Sequence, residues 1–148
     1  MIGDCVICDL LSGELEVSLV HRDELCAAFM DIQPINSGHM LVVPVRHSSG
    51  LGQLRSEEGS QMFRVAQALA EALRSSSVKC EGVNLFMADG EAAGQELFHA
   101  HMHVVPRYLG DGFGFKFPAG YTNKPARSEL DSLALKIRTF LQLQSPIS

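Results

Sequence analysis

The chain has 148 residues, of which 46% are hydrophobic and 20% are charged, a balance typical of a folded globular protein and unlike that of a disordered or fibrous chain. Its length predicts a single domain over residues 1–148. The net charge of -5 excludes a general basic surface for a nucleic-acid backbone or an anionic membrane. We therefore expect neither polymeric nucleic acid nor a membrane as a partner.

The expected cellular location determines what the four cysteines indicate. The longest apolar runs, such as residues 40–45, are far shorter than the roughly 20 residues that span a bilayer, and the N-terminus lacks the pattern of a secretion signal. A cytoplasmic location is therefore expected. In that compartment Cys5-x-x-Cys8 favours metal binding or redox chemistry over a disulfide, and Cys26 and Cys80 are expected to be small buried hydrophobes.

The first two predicted strands cover residues 25–32 and 39–45. Between them, Pro34, Asn36 and Gly38 form a turn signal, so the two strands are expected to pair in antiparallel fashion.

A long helix is predicted next, over residues 56–76, with Ser56 as its N-cap. Its apolar residues recur at helical spacing, at Met62, Ala66, Leu69 and Leu73, which indicates one face packed on a sheet.

Alternation returns over residues 82–88, and after the loop 89–94 a last strand is predicted over residues 98–105, ended by Pro106. Residues 108–126 have no clear period. A C-terminal helix is predicted from Ser128, whose spacing to Asp131 fits a capping box. The chain is therefore expected to be an α+β protein with one long helix across its sheet.

Three histidines, His99, His101 and His103, alternate with other residues inside the last predicted strand. Because successive side chains of a strand point to opposite faces, all three imidazoles are expected on one face. Neighbouring histidines would lie about 6.6 Å apart along the backbone and the outer two about 13 Å apart. One metal ion therefore cannot hold all three.

A lone histidine on a strand is more often a buried structural residue than a catalytic one. Three in register would be costly to leave unpaired in a core, so together they favour a binding or catalytic site. A neutral imidazole is a nucleophile and a general acid or base near pH 7. Phosphoryl groups are the expected partners of such a site.

The stretch from Gly90 to Arg107, with Gln95 and the three alternating histidines, resembles the signature of the histidine triad (HIT) family of nucleotide hydrolases and transferases. Residues 28–47 resemble the second sequence block of that family, and the likeness covers about residues 4–110. The resemblance implies a five-stranded antiparallel sheet with one long helix packed across it, and a homodimer.

By this resemblance, His101 corresponds to the nucleophile, which attacks the α-phosphate of AMP-linked esters, anhydrides or phosphoramidates and forms a nucleotidyl-histidine intermediate. Gln95, His103 and the amides of the loop at Gly94 are suitable donors for the charge that develops on the phosphate. The expected substrate is a small adenosine or other purine nucleotide. Its ribose and base are expected against Asp31, which can accept the ribose hydroxyls, and the apolar residues Ile7, Leu10, Phe29 and Ile32.

Cys5 and Cys8, together with two histidines, have the ligand types of a closed tetrahedral zinc site. The candidate histidines are His99, at one end of the row, and His47, after the second strand. Members of the family that resemble this chain commonly carry such a structural zinc. It would anchor the N-terminus and would not activate water, because four protein ligands leave no open position. Two alternatives for the cysteines are reduced thiols without metal and, more remotely, redox chemistry.

Two positions depart from the family pattern: Ala88 stands where many members have Asn, and Glu96 where Ser or Thr often assists the leaving group. Two other functions stay open. One is a metalloenzyme in which a His-x-His pair with Asp31 or Glu96 holds an open metal ion that activates water. The other is a non-catalytic regulatory module that binds nucleotides in the same pocket.

Overall fold

The structure, a computed structural model, describes residues 5–143. Its elements in chain order are α1 Val6–Ser12, β1 Leu19–Arg22, β2 Cys26–Met30, β3 Met40–Pro44, α2 Ser56–Ser75, β4 Gly82–Phe86, β5 Met102–Arg107 and α3 Arg127–Leu143. Within residues 5–143, no helix is long and apolar enough to cross a membrane. The described residues divide after Phe113 into two compact units, and the single domain over residues 1–148 stays a prediction.

The five strands form one sheet in the order β1-β2-β3-β5-β4, and all neighbouring strands are antiparallel. This confirms the predicted α+β class, with a five-stranded antiparallel sheet, a long helix and a C-terminal helix. The residue pattern alone had indicated neither β1 nor α1. β1 is a four-residue edge strand without apolar alternation, and α1 spans only two turns, so neither carries a periodic signal of useful length.

Two apolar clusters cover opposite faces of the sheet. On one face α2 packs through its predicted stripe against Ala28 and Val42, among others. On the other face Ile7 of α1 packs against Phe29 and Leu41. Because both faces are covered, β2 and β3 are almost completely buried and are apolar throughout.

The face under α1 is the one that carries the site. Residues directly opposite each other in an antiparallel sheet point to the same side. The register aligns Leu19, Phe29, Leu41, His103 and Phe86 in one line across the five strands. His103 therefore shares its face with Phe29 and Leu41, and with α1 above them.

The last strand differs from its prediction, because β5 begins at Met102 rather than at residue 98 and continues through Pro106 to Arg107. Pro106 does not end the strand, although proline has no N–H group to donate to a neighbouring strand. β3 begins at Met40, opposite Val104, so no residue of β3 lies opposite Pro106 to accept such a bond. Residues 98–101 leave the ladder, and the Ala100 N–H donates instead to the Ser48 carbonyl at 2.6 Å.

The N-caps of both helices lie before their predicted positions, that of α2 by one residue and that of α3 by two. α2 begins at Ser56, so Arg55 is its N-cap, and the Glu58 side chain accepts the Arg55 N–H at 2.8 Å. α3 begins at Arg127, which places Ser128 inside its first turn rather than at its cap. At α3 the first backbone hydrogen bonds run from the Glu129 and Leu130 N–H groups to the Ala126 carbonyl, at 3.1 and 3.2 Å, and so place the start of the helix before Ser128.

Candidate active site and metal cluster

The structure places the three histidines of the row in two settings. Only His103 lies in β5, while His99 and His101 lie just before it. The prediction that all three histidines lie in one strand is therefore wrong for His99 and His101. The rings of His101 and His103 are still neighbours, with centroids 5.0 Å apart, whereas the His99 ring lies 5.1 Å from that of His47.

The His101 imidazole is oriented by the backbone of its own segment. Its Nδ1 lies 2.7 Å from the His99 carbonyl oxygen. A carbonyl can only accept, so the Nδ1 of His101 carries a hydrogen, and in the neutral tautomer that this contact selects the lone pair lies on Nε2. The side chain is only 6% exposed, so one nitrogen is held and the other is in the form that a nucleophile needs.

His103 is oriented by a histidine that the sequence analysis did not single out. The backbone N–H of Ile35 donates to His39 Nδ1 at 3.1 Å, so the hydrogen of neutral His39 lies on Nε2. That Nε2 lies 2.9 Å from His103 Nδ1 and donates to it. His103 therefore carries its own hydrogen on Nε2, where it can donate to a ligand.

Both rings of this pair are kept neutral. Burial is the main cause that lowers the pKa of His103 to about 4, with smaller contributions from the charges of His101 and His39. Burial also lowers the pKa of His39, although Asp31, whose Oδ2 is 3.5 Å from His39 Nδ1, opposes the shift. The hydrogen bonds from Ile35 to His39 and from His39 to His103 require that both rings are neutral at pH 7.

A cavity of about 900 Å³ opens on the α1 face of the sheet. All five residues predicted to enclose the base and ribose line it, namely Ile7, Leu10, Phe29, Asp31 and Ile32. The other lining residues were not predicted from the sequence, and they are Val6, Leu15, Glu16, Val17, Ser18, Met30, Leu41 and Leu97. The wall is mostly apolar with a few polar groups, as is typical of a small-molecule site.

The loop before the histidines is held by Gln95, which was predicted as a phosphate donor. Its Nε2 donates to the carbonyls of Ser49 and Leu97 at 2.6 and 2.9 Å, and its Oε1 accepts the Gly90 N–H at 2.8 Å. Both amide hydrogens are thus used within the protein. Gly94 ends the short turn at Glu91–Ala93 with φ of 84°, a conformation that favours glycine.

The predicted metal ligands converge on one point. One donor atom each from Cys5, Cys8, His47 and His99 lies within 4.8 Å of all the others. His99 Nδ1 is 3.4 Å from Cys5 Sγ and 3.6 Å from Cys8 Sγ, and His47 Nδ1 is 3.4 Å from Cys8 Sγ. The Cys-x-x-Cys spacing makes this possible, because Cys5 caps α1 and Cys8 lies within its first turn.

The donor set fits a tetrahedral zinc ion. Zn–S bonds of about 2.3 Å and Zn–N bonds of about 2.0 Å place sulfur and nitrogen ligands roughly 3.5 Å apart, which matches the three observed separations. The tautomer fits too, because His99 Nε2 donates to the Pro44 carbonyl at 2.9 Å and leaves its Nδ1 lone pair toward the sulfurs. Burial, with the neighbouring Cys5, raises the pKa of Cys8 to about 11, and a bound cation would favour the thiolate.

Comparison with known proteins adds an independent line of evidence. Residues 12–110 match the HIT domain family. The chain is 41% identical over 114 residues to an uncharacterised HIT-like protein of Borreliella burgdorferi, covering 76% of this chain and 82% of that protein. It is 32% identical over 108 residues to an adenylylsulfatase of Arabidopsis thaliana, covering 71% of this chain and 53% of that protein.

Solved structures agree with the fold. A HIT family protein of Bacillus anthracis is 33% identical, with a TM-score of 0.85, and the match covers 94% of this chain and 98% of that one. A zinc-bound histidine triad family protein of Mycobacterium smegmatis is 34% identical, with a TM-score of 0.72, covering 96% of this chain and 98% of that one.

Proposed function

The chain belongs to the HIT family, and on that premise we propose that it is a nucleotide hydrolase or nucleotidyl transferase. It would act on the α-phosphate of AMP-linked esters, anhydrides or phosphoramidates through a covalent intermediate on His101. The observation that carries the proposal is the set of hydrogen-bond contacts along the row, from which the positions of the hydrogens follow. His101 has a free Nε2 lone pair, and the neighbouring His103 has an Nε2–H to donate.

The reaction takes two displacements. The Nε2 lone pair of His101 forms a bond to the α-phosphorus, and the bond from phosphorus to the leaving group breaks. The leaving group departs with that electron pair and takes up a proton from solvent water. Water or another acceptor then attacks the same phosphorus and loses a proton, the P–N bond breaks, and His101 recovers its lone pair. Dividing one difficult substitution in this way lowers each barrier.

The neighbouring histidines supply hydrogen bonds rather than covalent chemistry. His103 donates from Nε2 to an oxygen of the phosphate, where negative charge develops. His39 acts as a positioning residue, because its bond to His103 Nδ1 keeps the hydrogen of His103 on the nitrogen that faces the substrate. The Ile35 N–H, in turn, fixes His39.

The cavity receives the nucleoside part of the substrate. Its apolar wall, with Ile7, Leu10, Phe29 and Ile32, covers the base, and Asp31 accepts the ribose hydroxyls. Gln95 holds the loop at Gly94 against Ser49, so that the loop amides can serve the phosphate. Gln95 is thus a positioning residue for this loop.

The proposal is tested by the pair of variants His101→Gln and His21→Gln, since His21 lies on the edge strand β1 and bonds to Asp23. We expect the wild-type protein to release AMP from an adenosine phosphoramidate and to show a transient mass increase of one nucleotidyl group. His101→Gln should lose both signals, and His21→Gln should keep them. Turnover by His101→Gln would contradict the covalent route, and nucleotide binding without turnover by the wild type would favour the regulatory module.

We also propose that Cys5, Cys8, His47 and His99 hold a structural zinc ion. The zinc bound to the similar protein of Mycobacterium smegmatis supports this proposal. When bound, the ion would join α1 to the segments that carry the two histidines, and with four protein ligands it would take no part in the displacement. Thiolate ligands require a reducing environment, so a cytoplasmic location is part of the same proposal.

The proposal includes one HIT-like domain over residues 1–148 that pairs as a homodimer. β4 is an edge strand, and Phe63 of α2 and Leu85 of β4 are exposed beside a groove of about 550 Å³. Apolar residues at helical spacing on α3 are exposed as well: Leu130, Leu133, Ile137 and Leu141. A second copy would cover such surfaces. Sedimentation should give twice the chain mass, and Phe63→Glu should give a monomer.

A further inference from the structure

One acidic side chain at the cavity has no partner in the part of the chain that the structure describes. Glu16 lines the cavity and is exposed, and among residues 5–143 its carboxylate makes no hydrogen bond or ion pair. Asp31, the other carboxylate of the cavity, differs, since its Oδ1 accepts the Gln33 N–H at 2.8 Å and its Oδ2 lies beside His39. Glu16 is therefore available to a ligand.

The position of Glu16 assigns it to one end of the ligand. His103 lies on β5, and Glu16 lies in the segment that leads into β1, so β3 and β2 separate them. Strands in a sheet are about 4.8 Å apart, which makes the separation roughly 14 Å. With phosphate at the histidines and ribose at Asp31, which follows β2, the segment before β1 meets the far edge of the base.

The chemistry of that edge separates the purines. A carboxylate only accepts hydrogen bonds. Guanine presents two adjacent donors, N1–H and the 2-amino group, which match two carboxylate oxygens, while hypoxanthine presents N1–H alone. Adenine presents its 6-amino group beside N1, which is an acceptor and opposes a carboxylate.

We propose that Glu16 is a specificity residue that makes this cavity bind guanine nucleotides more tightly than adenine nucleotides. The inference rests on the proposed function, because it requires a nucleotide in the cavity with its phosphate at the histidines. AMP-linked compounds are still substrates in this scheme, with weaker binding. A bidentate contact to the correct base corresponds to a discrimination of about tenfold or more.

The test is the equilibrium binding of GMP, IMP and AMP to the full chain, by calorimetry, in the wild type, Glu16→Gln and Glu14→Gln. Glu14→Gln is the matched control, because Glu14 lies two residues away and is not among the residues that line the cavity. We expect the wild type to bind GMP about tenfold more tightly than AMP, with IMP between them. A glutamine amide can pair with adenine, so Glu16→Gln should remove or reverse the preference, and Glu14→Gln should preserve it.

The outcomes separate the two proposals. Equal binding of the three nucleotides by the wild type, or a preference that survives Glu16→Gln, overturns the role of Glu16 while the proposed function stands. Absence of binding for all three nucleotides overturns the proposed function itself, and the role of Glu16 falls with it.

Discussion

The two ends of the histidine row have different surroundings although the residues are the same. His99 is completely buried, with two thiols and the ring of His47 around it. His103 is half-buried, stacks on Phe86 with ring centroids 4.4 Å apart, and bonds to His39. One end has the thiol and imidazole groups of the proposed metal site, and the other has neutral rings that pass on a hydrogen bond.

The difference shows how a backbone group determines what an imidazole can do. At His99, the Pro44 carbonyl accepts from Nε2 and leaves Nδ1 as a lone pair for a metal ion. At the other end, the Ile35 N–H fixes His39, which leaves His103 with a hydrogen to donate. A carbonyl and an amide therefore impose opposite roles, and the order of residues along the chain does not decide between them.

The largest effect is expected at the metal end. Cys8→Ser should remove zinc from the purified protein and lower the free energy of unfolding by about 3 kcal/mol or more, since metal binding is coupled to folding. Metal analysis and thermal unfolding measure the two effects. Cys80→Ser is the matched control, because the Cys80 thiol bonds to the Gly82 carbonyl away from the cluster. Equal melting temperatures for the wild type and Cys8→Ser would argue against the structural zinc.

At the opposite end, stability should depend on pH through His103. Its pKa is about 4 in the folded protein and about 6.5 when unfolded, so protonation favours the unfolded chain between these values. The free energy of unfolding therefore has its full value above pH 6.5, and it decreases by roughly 3 kcal/mol as the pH falls to about 4. Urea unfolding at several pH values should show this slope, and His103→Gln should flatten it. An identical slope in both proteins would contradict the lowered pKa of His103 in the folded protein.

His39 provides a test that separates positioning from packing. His39→Leu removes the donor to His103 Nδ1 and should lower kcat by about 100-fold, with a smaller change in KM. His39→Gln places an amide where Nε2 was and should recover much of the rate. A purely structural role predicts instead that both variants lose rate in proportion to their loss of stability, which thermal unfolding measures in the same samples.

Much of the candidate site could be predicted because the sequence carries it locally. The Cys5-x-x-Cys8 spacing matches one helical turn, and the helix exists. The five residues predicted around the nucleoside come from two short segments, and both segments line the cavity. Local spacing of this kind survives errors in strand boundaries.

The rest required contacts between distant residues. His39 and His103 are 64 positions apart and meet only because β3 pairs with β5 in one register. Gln95 matched a donor in the motif, yet the Ser49 carbonyl, 46 positions away, takes one of its hydrogens. The start of β5 was misplaced for a similar reason, since Ser48 pairs with Ala100 and draws residues 98–101 out of the ladder. Register and loop docking of this kind are not encoded in any short window.

The smallest effect is expected where the loop after His47 contacts the loop before His99. The Asp89 Oδ1 accepts the Leu51 N–H at 2.9 Å and lies so close to Gly50 that a Cβ there would overlap it. The extended φ of -164° at Gly50 suits any residue, so Gly50→Ala acts only by displacing Asp89. It should cost about 1 kcal/mol, the value of one hydrogen bond, and Asp89→Ala should cost the same.

The double variant then distinguishes one shared contact from two separate ones. If the alanine methyl acts only by breaking the bond from Leu51 to Asp89, adding Gly50→Ala to Asp89→Ala costs nothing more, and the coupling is about 1 kcal/mol. Additive losses in urea unfolding would instead mean that Gly50 has another role, and that this link between the loop after His47 and the loop before His99 is not made through Asp89.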